Sequence, residues 1–153
     1  MGKIVTTDKL ETIVKLEKSK NKRIVFACGC FEIFHVGHLE YLEESKKRGD
    51  ILIVAVNSDD YIKRIKQKDP IFNTKQRCEI VNALSCVDYV FEFDEQTPEK
   101  YLASFIPHVF TKGIDRQQIL EKELCNRLNI DVVVIGKEKL SSSSKLRMKL
   151  GEI

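Results

Sequence analysis

The sequence has no tryptophan, only three prolines and only seven glycines in 153 residues. So few turn-formers exclude collagen-like, proline-rich and low-complexity chains. Neither sign of charge dominates: 26 Lys and Arg face 23 Asp and Glu, a formal net charge of +3. That excess is too small to argue for nucleic-acid binding, and it is compatible with a local basic pocket for anions. No apolar stretch approaches the roughly 20 residues needed to span a bilayer. Met1 to Leu16 is charged throughout and lacks a signal-peptide core. The five cysteines, at 28, 30, 78, 86 and 125, are odd in number and too sparse for a disulfide scaffold. These absences lead to the expectation of a reduced, cytoplasmic protein whose partners are neither membrane nor nucleic acid.

What is present is ordinary globular material, 42% apolar and 32% charged. The length fits a single domain over residues 1–153, with 1–21 as a leading helix and turn. Leu10, Ile13, Val14 and Leu16 recur near helical spacing, which predicts an amphipathic helix over 8–20 that packs on the core. Strand-like and helix-like segments then alternate. Strands are predicted at 24–28, 51–56, 89–93, 109–111 and 132–135. Helices are predicted at 39–48, 59–66, 75–84, 99–105, 117–128 and 143–150. The run Ile51–Val56 is apolar at every position, as a strand buried on both faces requires. Such alternation implies right-handed crossovers. The expected fold is α/β, a doubly wound Rossmann-like domain with a five-stranded, mainly parallel sheet. Ligands in such sheets bind beyond the carboxyl ends of the strands, so functional residues should follow strands.

The segment after the first of these strands reads Gly29-Cys30-Phe31-Glu32-Ile33-Phe34-His35-Val36-Gly37-His38. A helix is expected to begin near 36–38. Gly29 lets the backbone pass close to a ligand, and Gly37 lets the helix start lie against phosphate oxygens. Free N–H groups at a helix N-terminus make an anion site. His35 and His38 flank Gly37, and both can donate to one phosphate chain. Other chemistry fits the same letters. Cys28, Cys30, His35 and His38 count as four zinc ligands, although structural sites use wider Cys–Cys spacing. Cys30 activated by a histidine is a nucleophile candidate, but no third orienting group is evident.

Gly-x-Phe-acid-x-x-His-x-Gly-His resembles the signature of the cytidylyltransferase-like nucleotidyltransferases. The resemblance runs from about residue 22 to the C-terminus and is especially marked to the adenylyltransferases that make ADP-heptose from heptose 1-phosphate and ATP. It implies ATP (or CTP) and a phosphorylated small molecule as substrates, Mg2+ as the ion, and a homodimer. It implies catalytic roles for His35 and His38, and nucleotide contacts at Gly29, Cys30, Phe31 and Gly37. Lys66 would touch the triphosphate, while Lys63, Arg64 and Lys68 read as a solvated charged face. Gly113 and Asp115, in Lys112-Gly113-Ile114-Asp115, would meet the base; a simple turn is the alternative. Ser142, Ser143 and Ser144 match a Ser-Thr-Thr type motif that holds the triphosphate from the side opposite the histidines; a flexible linker is the alternative. Lys137 lies where some relatives are basic. The family usually has Asp where this chain has Glu32, which keeps the charge and adds a methylene. Two other functions stay open: a cytidylyltransferase acting on glycerol phosphate or another alcohol phosphate, and a nucleotide-binding regulatory protein with weakened catalysis.

Overall fold

The computed structural model describes residues 2–114, 121–136 and 151. Asp115, Lys137, Ser142, Ser143 and Ser144 lie outside the described residues, as do the helix expected over 143–150 and the start of the one expected over 117–128.

Six strands form one sheet: β1 (Lys3–Ile4), β2 (Ile24–Gly29), β3 (Ile51–Asn57), β4 (Tyr89–Phe93), β5 (Val109–Gly113) and β6 (Asp131–Ile135). Their order is β1-β4-β3-β2-β5-β6, and every pairing is parallel. The expectation of a mainly parallel sheet holds, and the expected five strands are corrected to six. The extra strand, β1, is two exposed residues long, too short for any hydrophobic period to announce it. It exists because Lys3 and Val5 donate N–H to the Asp88 and Val90 carbonyls, each at 2.9 Å.

Helices α1 (Thr7–Ser19), α2 (Val36–Lys46), α3 (Asp59–Lys66), α4 (Thr74–Asn82), α5 (Glu99–Phe105) and α6 (Lys122–Arg127) connect the strands. Alternate residues of β2 enter different cores, as the pleat dictates. Ile24 and Phe26 pack with Leu10 and Val14 of α1, Leu102 and Phe105 of α5, and Cys125 of α6. Val25 and Ala27 pack with Leu42 of α2 and Cys78 and Val81 of α4. Helices therefore cover both faces, and the doubly wound expectation holds. Among the described residues no helix is long and apolar enough to cross a membrane.

Burial pushes the Cys78 and Cys125 thiols up to about 11. Two pKa units lower the thiolate fraction about 100-fold at pH 8. Native Cys78 and Cys125 are therefore expected to alkylate at least about 100-fold more slowly than in the urea-unfolded chain, read by mass spectrometry.

The chain steps outward from β2 to β3 to β4, then returns to β5 on the other side of β2. Strand order thus reverses between β2 and β5. Ala27 pairs with Thr111 there, and Gly29 and Gly113 follow two residues later on each strand. Two of the predicted glycines thus end the two strands that flank the reversal, the place where sheets of this kind bind ligands.

Candidate functional site

β2 ends at Gly29, and the loop to α2 turns at Phe31, whose φ of 49° lies in the left-handed region. A bulky residue there is uncommon, and such strain collects at functional sites. The Phe31 ring is buried and folds back over Gly29, where an added Cβ would meet Phe31 Cζ at 3.1 Å. Its edge also meets the His38 ring at 5.2 Å. Phe31 therefore braces a histidine from inside the loop, and Gly29 makes room for it.

His35 caps α2 from an extended backbone, φ −144° and ψ 176°. Its Nδ1 accepts the Gly37 N–H at 3.0 Å, and the His38 Nδ1 accepts the His35 N–H at 3.3 Å. The two rings stack with centroids 3.9 Å apart and planes 24° apart. With both Nδ1 atoms acting as acceptors, each neutral ring carries its proton on Nε2, which becomes a donor. The helix start differs from expectation. The N–H groups of His38 and Leu39 go to the His35 carbonyl at 3.0 and 3.2 Å, and that of Gly37 goes to the imidazole. The free amides foreseen at Gly37 are thus engaged within the loop. The side-chain donors at this helix start are imidazole N–H groups, with the positive end of the helix behind them, and the His35 Nε2 is buried.

Lys66, the last residue of α3, donates to Glu32 Oε2 at 3.0 Å. The fold thus brings the predicted lysine to the histidine loop. Its basic neighbours turn elsewhere: Lys63 pairs with Asp69 at 3.6 Å and Arg64 with Asp94 at 3.3 Å, all four exposed. Cys30 contributes its Sγ, 3.5 Å from Asn57 Oδ1 at the end of β3. Among the described residues no three His, Cys, Asp or Glu side chains gather around a common point that could hold a metal ion.

Arg77 emerges as a residue to which the sequence pattern alone assigns no role. It is 1% exposed. Its guanidinium donates to the carbonyls of Cys30 (2.7 Å), Asn57 (2.6 Å) and Phe72 (2.9 Å), and to Asp59 Oδ1 (2.8 Å). One side chain thus ties the β2–α2 loop to the end of β3, the start of α3 and the turn before α4. The signal was available: Thr74, Arg77, Cys78 and Val81 are the buried positions of α4, so an arginine sits in an inward-facing helical stripe. A buried charge in such a stripe must have a dedicated set of partners.

Farther along α2, Tyr41 donates its hydroxyl to the Thr111 carbonyl at 2.8 Å, and Ser45 shares a 2.8 Å hydroxyl contact with Thr111. These contacts lash α2, the histidine helix, to β5. Gly113 ends β5 half-buried, while Lys112 turns into the domain and pairs with buried Glu121 at 3.3 Å.

The cytidylyltransferase-like family model matches residues 26–153. Among curated proteins, the chain is similar to bifunctional protein HldE of Geotalea uraniireducens, 38% identical over 95% of this chain and 31% of the relative. HldE of Geobacter metallireducens is 43% identical over 74% of this chain and 24% of its own length. The chain thus spans about a third or less of these relatives. A crystal structure of a lipopolysaccharide core biosynthesis protein from Thermoplasma volcanium superposes with a TM-score of 0.66 at 35% identity, covering 77% of this chain and 99% of that one.

Proposed function

Since the chain belongs to the cytidylyltransferase-like family, we propose that it is a nucleotidyltransferase joining AMP from ATP to a sugar phosphate, heptose 1-phosphate in the first instance. An oxygen of the acceptor phosphate attacks the α-phosphorus of ATP. The bond from that phosphorus to the bridging oxygen breaks, and pyrophosphate leaves with the electron pair. A phosphate monoester is already largely ionised at neutral pH, its second pKa being about 6, so the attack needs no general base. The protein's task is then to position the reactants and stabilise shifting charge.

The observation that carries this reading is the stacked pair His35 and His38, both tautomers set with Nε2–H as donor, at the start of α2 beside the reversal of strand order. Those donors suit phosphate oxygens on which charge grows as pyrophosphate departs. Lys66 adds a cation from α3. Gly113 and Asp115 would lie toward the base, and Ser142, Ser143 and Ser144 on the far side of the triphosphate. Magnesium enters as part of the MgATP substrate, because ions of this kind are held largely by phosphate oxygens and water with one or two carboxylates at most.

ATP is favoured over CTP by the likeness to proteins named HldE and by the Lys112-Gly113-x-Asp115 segment. Pyrophosphate release across ATP and CTP, each paired with heptose 1-phosphate, other sugar phosphates and glycerol phosphate, tests it. ATP with the heptose phosphate is expected to be at least about tenfold faster than any CTP pair. Preference for CTP with an alcohol phosphate would transfer the assignment to cytidylyl transfer. Thermal stabilisation by nucleotide with no pyrophosphate from any pair would indicate a binding protein that has lost turnover.

A further inference from the structure

Glu32 and Lys66 lie 34 residues apart in sequence, yet they meet at 3.0 Å. The carboxylate side chain is 2% exposed and the lysine side chain 38%. A carboxylate buried so deeply is costly without an opposite charge. Its position sharpens the issue. Glu32 directly follows Phe31, which braces His38, and stands three residues before His35. A fixed negative charge in a loop that receives a polyphosphate repels its own ligand unless a cation cancels it. Lys66 is a cation placed to do so, and it is the more adaptable partner of the two. It ends a helix, Gln67 behind it turns into the left-handed region at φ 53°, and the chain stays exposed through Asp69.

We propose that Glu32 is a positioning residue which holds the Lys66 ammonium at the phosphate loop, and that Lys66 in turn masks the Glu32 charge so that a nucleoside triphosphate can enter. The proposal rests on the nucleotidyl-transfer reading and deepens it. In the structure the ammonium is anchored by the carboxylate. When the triphosphate arrives, the same ammonium is shared between carboxylate and phosphate. Removing the lysine therefore does two things: it deletes a phosphate contact and takes a neutralising cation from the carboxylate. Removing both charges does only the first.

The test is a double-mutant cycle in MgATP binding, measured by isothermal titration on the full chain. Lys66→Met is expected to weaken binding by about 30-fold, and Glu32→Gln to change it by no more than about threefold. The double variant is expected to recover to within about fivefold of the parent, so that the second substitution rescues the first. Lys66→Gln serves the same cycle if Lys66→Met fails to fold, since it keeps a donor for Glu32 and carries no charge. A Glu32 that merely supports the loop predicts the opposite order, with the double variant the weakest binder. Losses that add, or a double variant no better than the lysine variant alone, overturn the proposal while leaving nucleotidyl transfer intact. A parent protein that binds neither MgATP nor MgCTP overturns both.

Discussion

Replacing Arg77 by Met is expected to lower folding stability by about 3–5 kcal/mol, because it removes one member of a buried, fully bonded charge cluster. The side chain has no exposed surface, and its loss strips donors from the carbonyls of Cys30, Asn57 and Phe72 at once. Each acceptor left unsatisfied in the interior carries a desolvation cost of about 1–3 kcal/mol. Lysine at this position should recover little, since a single ammonium cannot reproduce the guanidinium fork. The variant also changes the acid response. Burial alone would raise the Asp59 carboxyl, but the hydrogen bonds from Arg77 and Thr74 and the Arg77 charge bring it below its ordinary value. A carboxyl depressed on folding contributes stability above its unfolded pKa, and that contribution is lost as pH falls through the folded value. The parent is thus expected to lose stability below about pH 4, and the Met variant to lose less of it. Chemical denaturation at pH 7 and at pH 3 measures both effects. A Met variant within about 1 kcal/mol of the parent at neutral pH would remove Arg77 from its role as the clamp of the site loop.

Features with a local cause were legible from the sequence alone. The continuous apolar run of β3, the charged α3 and the short α5 each carry their own periodicity, and the strand Tyr89–Phe93 was placed to the residue. β1 was not legible, because two exposed residues owe their conformation wholly to the neighbouring strand. The site divides in the same way. Gly29, His35, Gly37 and His38 lie within ten residues and announce themselves as one motif. That a histidine, rather than Ser, Thr, Asp or Asn, caps α2 with its own ring could not be read from spacing, since it depends on the rotamer. Contacts that cross the sequence were hidden for a different reason. Glu32 with Lys66 and Arg77 with Cys30 join segments 34 and 47 residues apart, which meet through the β2–β3 pairing and the helices α3 and α4 that follow β3. The resemblance assigns a role to Lys66, whereas the clamping role of Arg77 is read only from a charged residue on an inward helical stripe.

Replacing His35 or His38 by Ala is expected to lower kcat by about 10²–10³, the usual worth of one preorganised donor to a developing negative charge. Binding of MgATP should weaken far less, because the other imidazole and Lys66 remain. The geometry adds a complication that the test must separate. His35 Nδ1 also caps α2 by accepting the Gly37 N–H, so His35→Ala should cost about 1 kcal/mol of stability as well. Asparagine resolves the two roles. It is among the preferred N-cap residues, so His35→Asn should restore most of the lost stability. Its shorter amide is not held where Nε2 stands, so turnover should return only in part. At position 38 the Nδ1 accepts the His35 N–H and the ring lies on Phe31, which makes His38→Ala the variant with the looser loop and His38→Gln its partial rescue. The deciding quantity is kcat per folded molecule, with the folded fraction taken from circular dichroism and turnover from pyrophosphate release. A pair of histidines that only caps and packs would show reduced melting temperatures with turnover per folded molecule unchanged. That outcome would end the catalytic assignment of both residues, and the stacked pair would stand as a helix cap alone.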